Sequence, residues 1–139
     1  MPEPGGGGKF GHDPFVFDEK GICVLEAKVL DHVDLTWETW KSHSADHAGE
    51  DRSYFAEFRE NREEIIQTLR NPDTVLKRED RFGVNYVFVR ISRLKQKTAG
   101  GVILHRTLPL VVIVDRQMSR VKTFYPMKKS PSRGEVIYP

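Results

Sequence analysis

Cysteine is almost absent: Cys23 is the only one in 139 residues. An internal disulfide and a thiolate zinc cage are therefore excluded, and a reducing, cytoplasmic site of action fits. No apolar run approaches the ~20 residues of a membrane-spanning helix. The longest, around Leu110–Val114, is at most a buried strand, so no membrane partner is expected. The N-terminus lacks the basic-then-apolar order of a secretory leader. Gly5-Gly6-Gly7-Gly8 follows no strand and precedes no Lys-Ser/Thr, so it is not a phosphate-binding loop. There is no HExxH arrangement and no internal repeat. His43-x-x-x-His47 with Asp46 has helical pair spacing, but a third converging ligand is missing. Neither a metal nor any other cofactor is expected.

What the chain does have is a charge divide. Residues 1–69 carry 7 Lys/Arg against 15 Asp/Glu, a balance of −8. Residues 70–139 carry 15 against 5, a balance of +10. Within one small domain, this asymmetry implies a positive surface for a polyanion such as RNA or DNA. It equally fits acidic helices that neutralise basic strands inside the fold.

The length allows one domain with a real core. Residues 1–13 form a flexible, Gly-rich lead-in. Phe15–Phe17 and Ile22–Leu25, flanking Asp18-Glu19-Lys20-Gly21, predict a hairpin, and Ala27–Leu35 a second extended piece. Thr36 is a suitable N-cap for a helix through Trp37, Trp40, His43 and His47. Trp40, His43 and His47 follow at i, i+3 and i+7, so they share a helical face. Both tryptophans read as core anchors. A second helix is signalled from about Ser53 to Arg70, with Phe58, Ile65 and Leu69 on one stripe and Asn71-Pro72 as its stop.

Beyond Pro72 the period changes to alternation. Thr74–Arg78 is a short extended piece, and Asp80–Gly83 turns the chain. In Asn85–Ile91, Val87, Val89 and Ile91 point one way, toward helices; Tyr86, Phe88 and Arg90 point the other. An aromatic–aromatic–arginine face suits base stacking and phosphate contact. Ser92–Gly101 reads as a basic loop, and Pro109 as the break before a central strand at Leu110–Val114. Arg120–Tyr125 alternates again, and 129–139 form a basic, irregular tail. The order is an N-terminal strand or hairpin, two helices and a meander of about four antiparallel strands, an α+β fold spanning residues 14–128.

Four stretches, taken in order, carry a family resemblance. Val29-Leu30-Asp31-His32-Val33-Asp34-Leu35-Thr36-Trp37-Glu38-Thr39-Trp40-Lys41-Ser42-His43 resembles the strand-then-Thr-x-x-x-Trp-x-x-His opening of phage and polymorphic-toxin nucleases of the barnase–EndoU–colicin–RelE class. Leu69-Arg70-Asn71-Pro72-Asp73-Thr74-Val75 resembles their second signature. Leu110–Asp115 and Val121–Pro126 resemble their closing strands. The resemblance implies two helices on a twisted antiparallel sheet whose open face cleaves RNA, tRNA or rRNA included, without metal. It makes His43 the helix-borne catalytic residue and Thr123 a polar contact. It also implies delivery within a larger toxin or phage protein, and an acidic immunity or antitoxin partner. The His-Pro-Glu that often follows in the family is replaced here by His47-Ala48-Gly49-Glu50.

Two functions are therefore expected. The first is a metal-independent endoribonuclease. His43 would move the proton, with Arg90, Lys122 and Thr123 around the phosphate, and with Tyr86, Phe88, Arg78, Arg81, Tyr125 and His47 holding substrate. The alternative is a non-catalytic module that binds RNA or an acidic partner through the same basic sheet.

Overall fold

The computed structural model describes residues 15–44, 61–97 and 100–139. In chain order the elements are β1 Ile22–Ala27, β2 Asp31–Thr36, α1 Trp37–Ser44, α2 Arg62–Arg70, β3 Thr74–Asp80, β4 Gly83–Lys97, β5 Ile103–Asp115, β6 Arg120–Pro126 and β7 Glu135–Tyr138. The strands make one sheet in the order β1-β2-β6-β5-β4-β3-β7. Only β2 and β6 run parallel, meeting at Asp34 and Arg120. The expected pair of helices on about four antiparallel strands is thus overturned: the described residues form a curled, mixed, seven-stranded sheet with two short helices.

Four local features account for the difference. Asp18 closes a turn before β1, its Oδ1 accepting from the amides of Lys20 and Ile22, so the hairpin pivots later, at Lys28–Leu30. The basic stretch from Ser92 does not loop out; it continues β4 to Lys97, paired residue by residue with β5. Pro109 lies inside β5 without breaking it. Its nitrogen faces away from β4, while its carbonyl accepts from Met127 N at 2.8 Å, a position where the missing N–H removes no ladder bond. The tail, expected to be irregular, ends in β7, which pairs with β3.

The sheet is apolar on both faces, and this decides where everything else sits. One face carries the main core, including Leu25, Val33, Leu35, Val75, Phe88, Leu94, Leu110, Val112, Val114 and Phe124. Both helices pack here. On α2, Ile65 and Leu69 are fully buried, and the amide of Lys28 donates to the Leu69 carbonyl at 2.8 Å. On α1, capped by Thr36 Oγ1 accepting from Thr39 N, Trp40 stacks on Phe124 with ring centroids 5.9 Å apart. That stack holds the weakest seam of the sheet, where β2 and β6 share one bridge, supported by Asp34 N–Ser119 O and Ser119 Oγ–His32 O. Trp37, by contrast, is 45% exposed and only edges against Phe17. It is not a core anchor.

The second face carries a smaller cluster: Leu76, Val87, Val89 and Val111, with Ile113, Tyr125 and Met127 against it. No helix covers it. Instead residues 127–134 return from β6 to β7, crossing β5, β4 and β3, about 19 Å at ~4.8 Å per strand. Met127 packs into the cluster, and Arg133 O accepts from Arg78 Nε at 2.8 Å. At Gly134 (φ +122) an added Cβ would lie 2.8 Å from the Lys77 carbonyl, so only glycine lets the strap approach so closely. These two faces are called below the helix face and the strap face.

The parity expected for Asn85–Ile91 is therefore reversed. Phe88, not Val87, faces the helices, with no exposed surface. In urea unfolding, Phe88→Ala is expected to lower stability by about 3–5 kcal/mol. Phe82→Ala, at a side chain 82% exposed, should stay within about 0.5 kcal/mol. Similar values for the two variants would contradict this assignment of faces.

Candidate functional site

Cross-strand register gathers polar side chains on the strap face. Arg78 pairs with Asn85, Asn85 with Asp115, Asp115 with Arg120, and Arg120 with Asp34. Residues in register point to the same side of a sheet, so these five form a row across β3, β4, β5, β6 and β2. They share the side of Leu76, Val87 and Ile113. At Ile113/Val114 the β5–β6 ladder shifts register, leaving Lys122 as the extra residue. A bulge re-aims the side chain it carries: Lys122 Nζ reaches over β5 and donates to Asn85 Oδ1 at 3.3 Å. Thr123, opposite Ile113, lies beside it.

The row is rich in cations that the protein leaves unneutralised. Among the described residues, no carboxylate comes within ion-pairing distance of Arg78, Arg120 or Lys122. Arg120 Nε is buried and has no hydrogen-bond partner. Two carboxylates, Asp115 and Asp34, lie in register with Arg120; Asp115 accepts from Met118 N through Oδ1 at 3.1 Å, which ties the β5–β6 turn. Taken together, the row offers guanidinium and ammonium donors, an amide and a hydroxyl on one surface, a set suited to phosphate oxygens.

The expected site residues divide between the two faces. Lys122, Thr123, Tyr125 and Arg78 share the strap face. Phe88 is core, and Tyr86 lies on the helix face, its hydroxyl accepting from Arg116 Nε at 3.1 Å. Arg90 also faces the helices, where its guanidinium is 3.4 Å from Glu64 of α2. Arg81 sits in the β3–β4 turn with its guanidinium 5.0 Å from the Phe82 ring centre. His43 lies in the last turn of α1, on a helix that packs against the helix face through Trp40; its side chain and the whole of His47 fall outside the described residues. The sheet thus stands between α1 and Thr123.

Asn85, Asp115 and Arg120 were missed from the sequence. Each looks like a residue at a strand end, and only the register puts them in line. No group of three or more His, Cys, Asp or Glu able to hold a metal ion occurs among the described residues. No helix there is long and apolar enough to cross a membrane. The chain matches no family model, no curated protein and no solved structure.

A second polar feature lies at the β1–β2 turn. A cavity of about 310 Å³ is lined by Glu26, Ala27, Lys28, Asp31, Arg70 and Asn71, and Arg70 Nε is paired with Glu26 at 3.0 Å. Its rim is strained. Leu30 N donates to Lys28 O and His32 N to Leu30 O, two successive three-residue turns centred on Val29 (φ 62) and Asp31 (φ 71). Such turns are rare, and a β-branched residue there is a true outlier. The charged side chains of this cavity already satisfy one another in part, so it is the weaker candidate. Val29→Gly is expected to raise unfolding stability by roughly 0.5–1 kcal/mol through relief of that strain. A loss of stability in a thermal or urea melt would show that Val29's packing outweighs it.

Proposed function

We propose that this protein binds RNA through the polar row of the strap face, as a phosphodiester-binding module. The observation that carries this reading is the set Arg78, Arg120 and Lys122, gathered on one face beside Asn85 and Thr123 with no ion pair to a described carboxylate, although Asp115 and Asp34 flank Arg120 in the row. A structural salt-bridge network would neutralise such cations; a polyanion site leaves them free. The positive balance of the second half of the chain supports the same reading. Tyr125, on this face beside Thr123, adds an aromatic group next to the cations, the combination single strands use for stacking.

A catalytic version of the same face is the second reading, favoured by Asp115 in the row. In-line attack by a 2′-hydroxyl needs a base, and donors for the charge that develops on phosphorus oxygens. Asp115 would supply the first, and Lys122 with Thr123 the second. The role expected for His43 does not carry over easily, because its helix packs on the other face. The nuclease resemblance supports cleavage as a class, but not that constellation.

The test measures the affinity of a single-stranded RNA of about 20 nucleotides against salt concentration by fluorescence polarisation. Arg78→Ala and Lys122→Ala should each flatten the log–log salt slope by about 0.7, the value for one lost single-strand phosphate contact. Arg90→Ala, on the helix face, should leave the slope unchanged. Equal slopes in all three variants would refute the strap-face site. Incubation of the same RNA in EDTA then separates the two readings. Cyclic-phosphate ends lost in Asp115→Asn but retained in His43→Ala mean cleavage by this face, and intact RNA means binding alone.

A further inference from the structure

The β4–β5 hairpin runs past the rest of the sheet. Its partners end early: β3 pairs with β4 only as far as Thr74↔Val89, and β6 with β5 only as far as Leu110↔Pro126. The projecting arm comprises Ile91–Lys97 and Ile103–Pro109, and its two edges are treated differently.

On the β4 edge, outward backbone groups of Ile91 and Lys95 have partners. Ile91 N donates to Asp73 Oδ2 at 2.7 Å. Lys95 N donates to Asn61 Oδ1 at 2.9 Å, and Lys95 O accepts from Asn61 Nδ2 at 3.0 Å. Asn61 is 2% exposed and sits at the start of α2, so a side-chain amide stands in for a neighbouring strand. On the β5 edge, the carbonyl of Pro109 points toward β6, where it meets Met127. Alternation then turns the N–H and C=O of Thr107, His105 and Ile103 outward as well. Among the described residues nothing pairs with them.

That edge is also uncovered. Residues 103–107 are all exposed, and Val102, Ile103 and Leu104 are large apolar side chains 58%, 46% and 47% exposed. Unpaired edges of this kind template strand addition unless charge blunts them. Here the charge has one sign. Lys95 lies opposite His105, Arg93 opposite Thr107, and Arg106 opposite Leu94, with no carboxylate in ion-pairing range of these cations among the described residues. A second copy of the chain would bring the same cations against themselves. An acidic strand would meet them with opposite charge.

We infer that the β5 edge at Ile103–Thr107 is a docking site for an extended, acidic peptide segment of a partner protein, added as an eighth strand. Backbone bonds to Ile103, His105 and Thr107 supply affinity, and Arg93, Lys95, His105 and Arg106 select acidic residues. The site is separate from the strap-face row and does not depend on RNA binding.

The test uses a fluorescein-labelled, end-capped peptide of four Glu-Val repeats as probe, read by polarisation against the full chain. Thr107→Pro deletes one outward N–H at an edge position where proline is compatible with the fold, so its melting curve should match the wild type. The acidic probe should bind saturably, and at least tenfold more weakly to Thr107→Pro. A Lys-Val probe of equal length should not bind. Equal affinity of the acidic probe for both proteins would mean charge attraction without strand addition, and would overturn the inference. So would no saturable binding, or a dimer in sedimentation velocity that Thr107→Pro abolishes. Unchanged RNA affinity in Thr107→Pro keeps this result independent of the strap-face reading.

Discussion

The pairing of β4 with β5 is the constraint on which the rest of the molecule depends. It runs unbroken from Asn85↔Asp115 to Lys97↔Ile103, longer than any other ladder in the sheet. Because side chains alternate strictly along both strands, this one register fixes two faces at once. Phe88, Leu110 and Val112 go to the helices, and Val87, Val89 and Val111 to the strap. A slip of one residue would exchange them and bury Arg90 and Asn85 the wrong way. The register is secured at its far end by Asn61 on Lys95 and near its middle by Asp73 on Ile91, neither of which is itself on a strand.

The sequence made much of the local structure legible, and its failures share one cause. Thr36 as a cap, Asn71-Pro72 as a stop, and the strands at Thr74, Asn85, Leu110 and Arg120 were all readable because each depends on a few neighbouring residues. Which side of Asn85–Ile91 meets the helices was not. Val87/Val89 and Tyr86/Phe88 are both apolar sets, and alternation gives the period without the sign. The tail misled in the same way. The stretch 127–134 has the composition of a loop, and it is one, but it serves as a strap over an apolar face. Gly134 was the available clue, since a glycine just before Glu135-Val136-Ile137-Tyr138 marks a close crossing. The β1–β2 turn gave no clue at all: Lys28-Val29-Leu30 contains no residue that favours positive φ.

For the candidate site, composition reached further than the motif. The motif singled out His43 and Thr123 as neighbours, and the sheet separates their supports. Composition said only that the second half of the chain is basic, and that half supplies Arg78, Arg120 and Lys122 to one face. The difference is physical. A short motif fixes residue order along the chain, whereas a site on a sheet is assembled across strands, from positions about 40 residues apart in the case of Arg78 and Arg120. The bulge at Lys122 sharpens this point. Under strict alternation from Phe124, Lys122 would point to the helix face and Val121 would leave the core; with the bulge, an ammonium joins the row while Val121 and Phe124 both stay in the core.

The same logic explains why the two edges of the arm should not be read alike. Asn61 and Asp73 cost the chain two polar side chains held in fixed geometry, one of them nearly buried, and ordering such groups opposes folding. Among the described residues that cost is met on the β4 edge and not on the β5 edge, although both edges are equally long. If open edges were merely tolerated, the caps on the first edge would be unnecessary; if every open edge were dangerous, the second edge would be capped as well. An edge left open beside a closed one, and lined with cations that repel its own copy, has the properties of a surface kept for a partner of opposite charge.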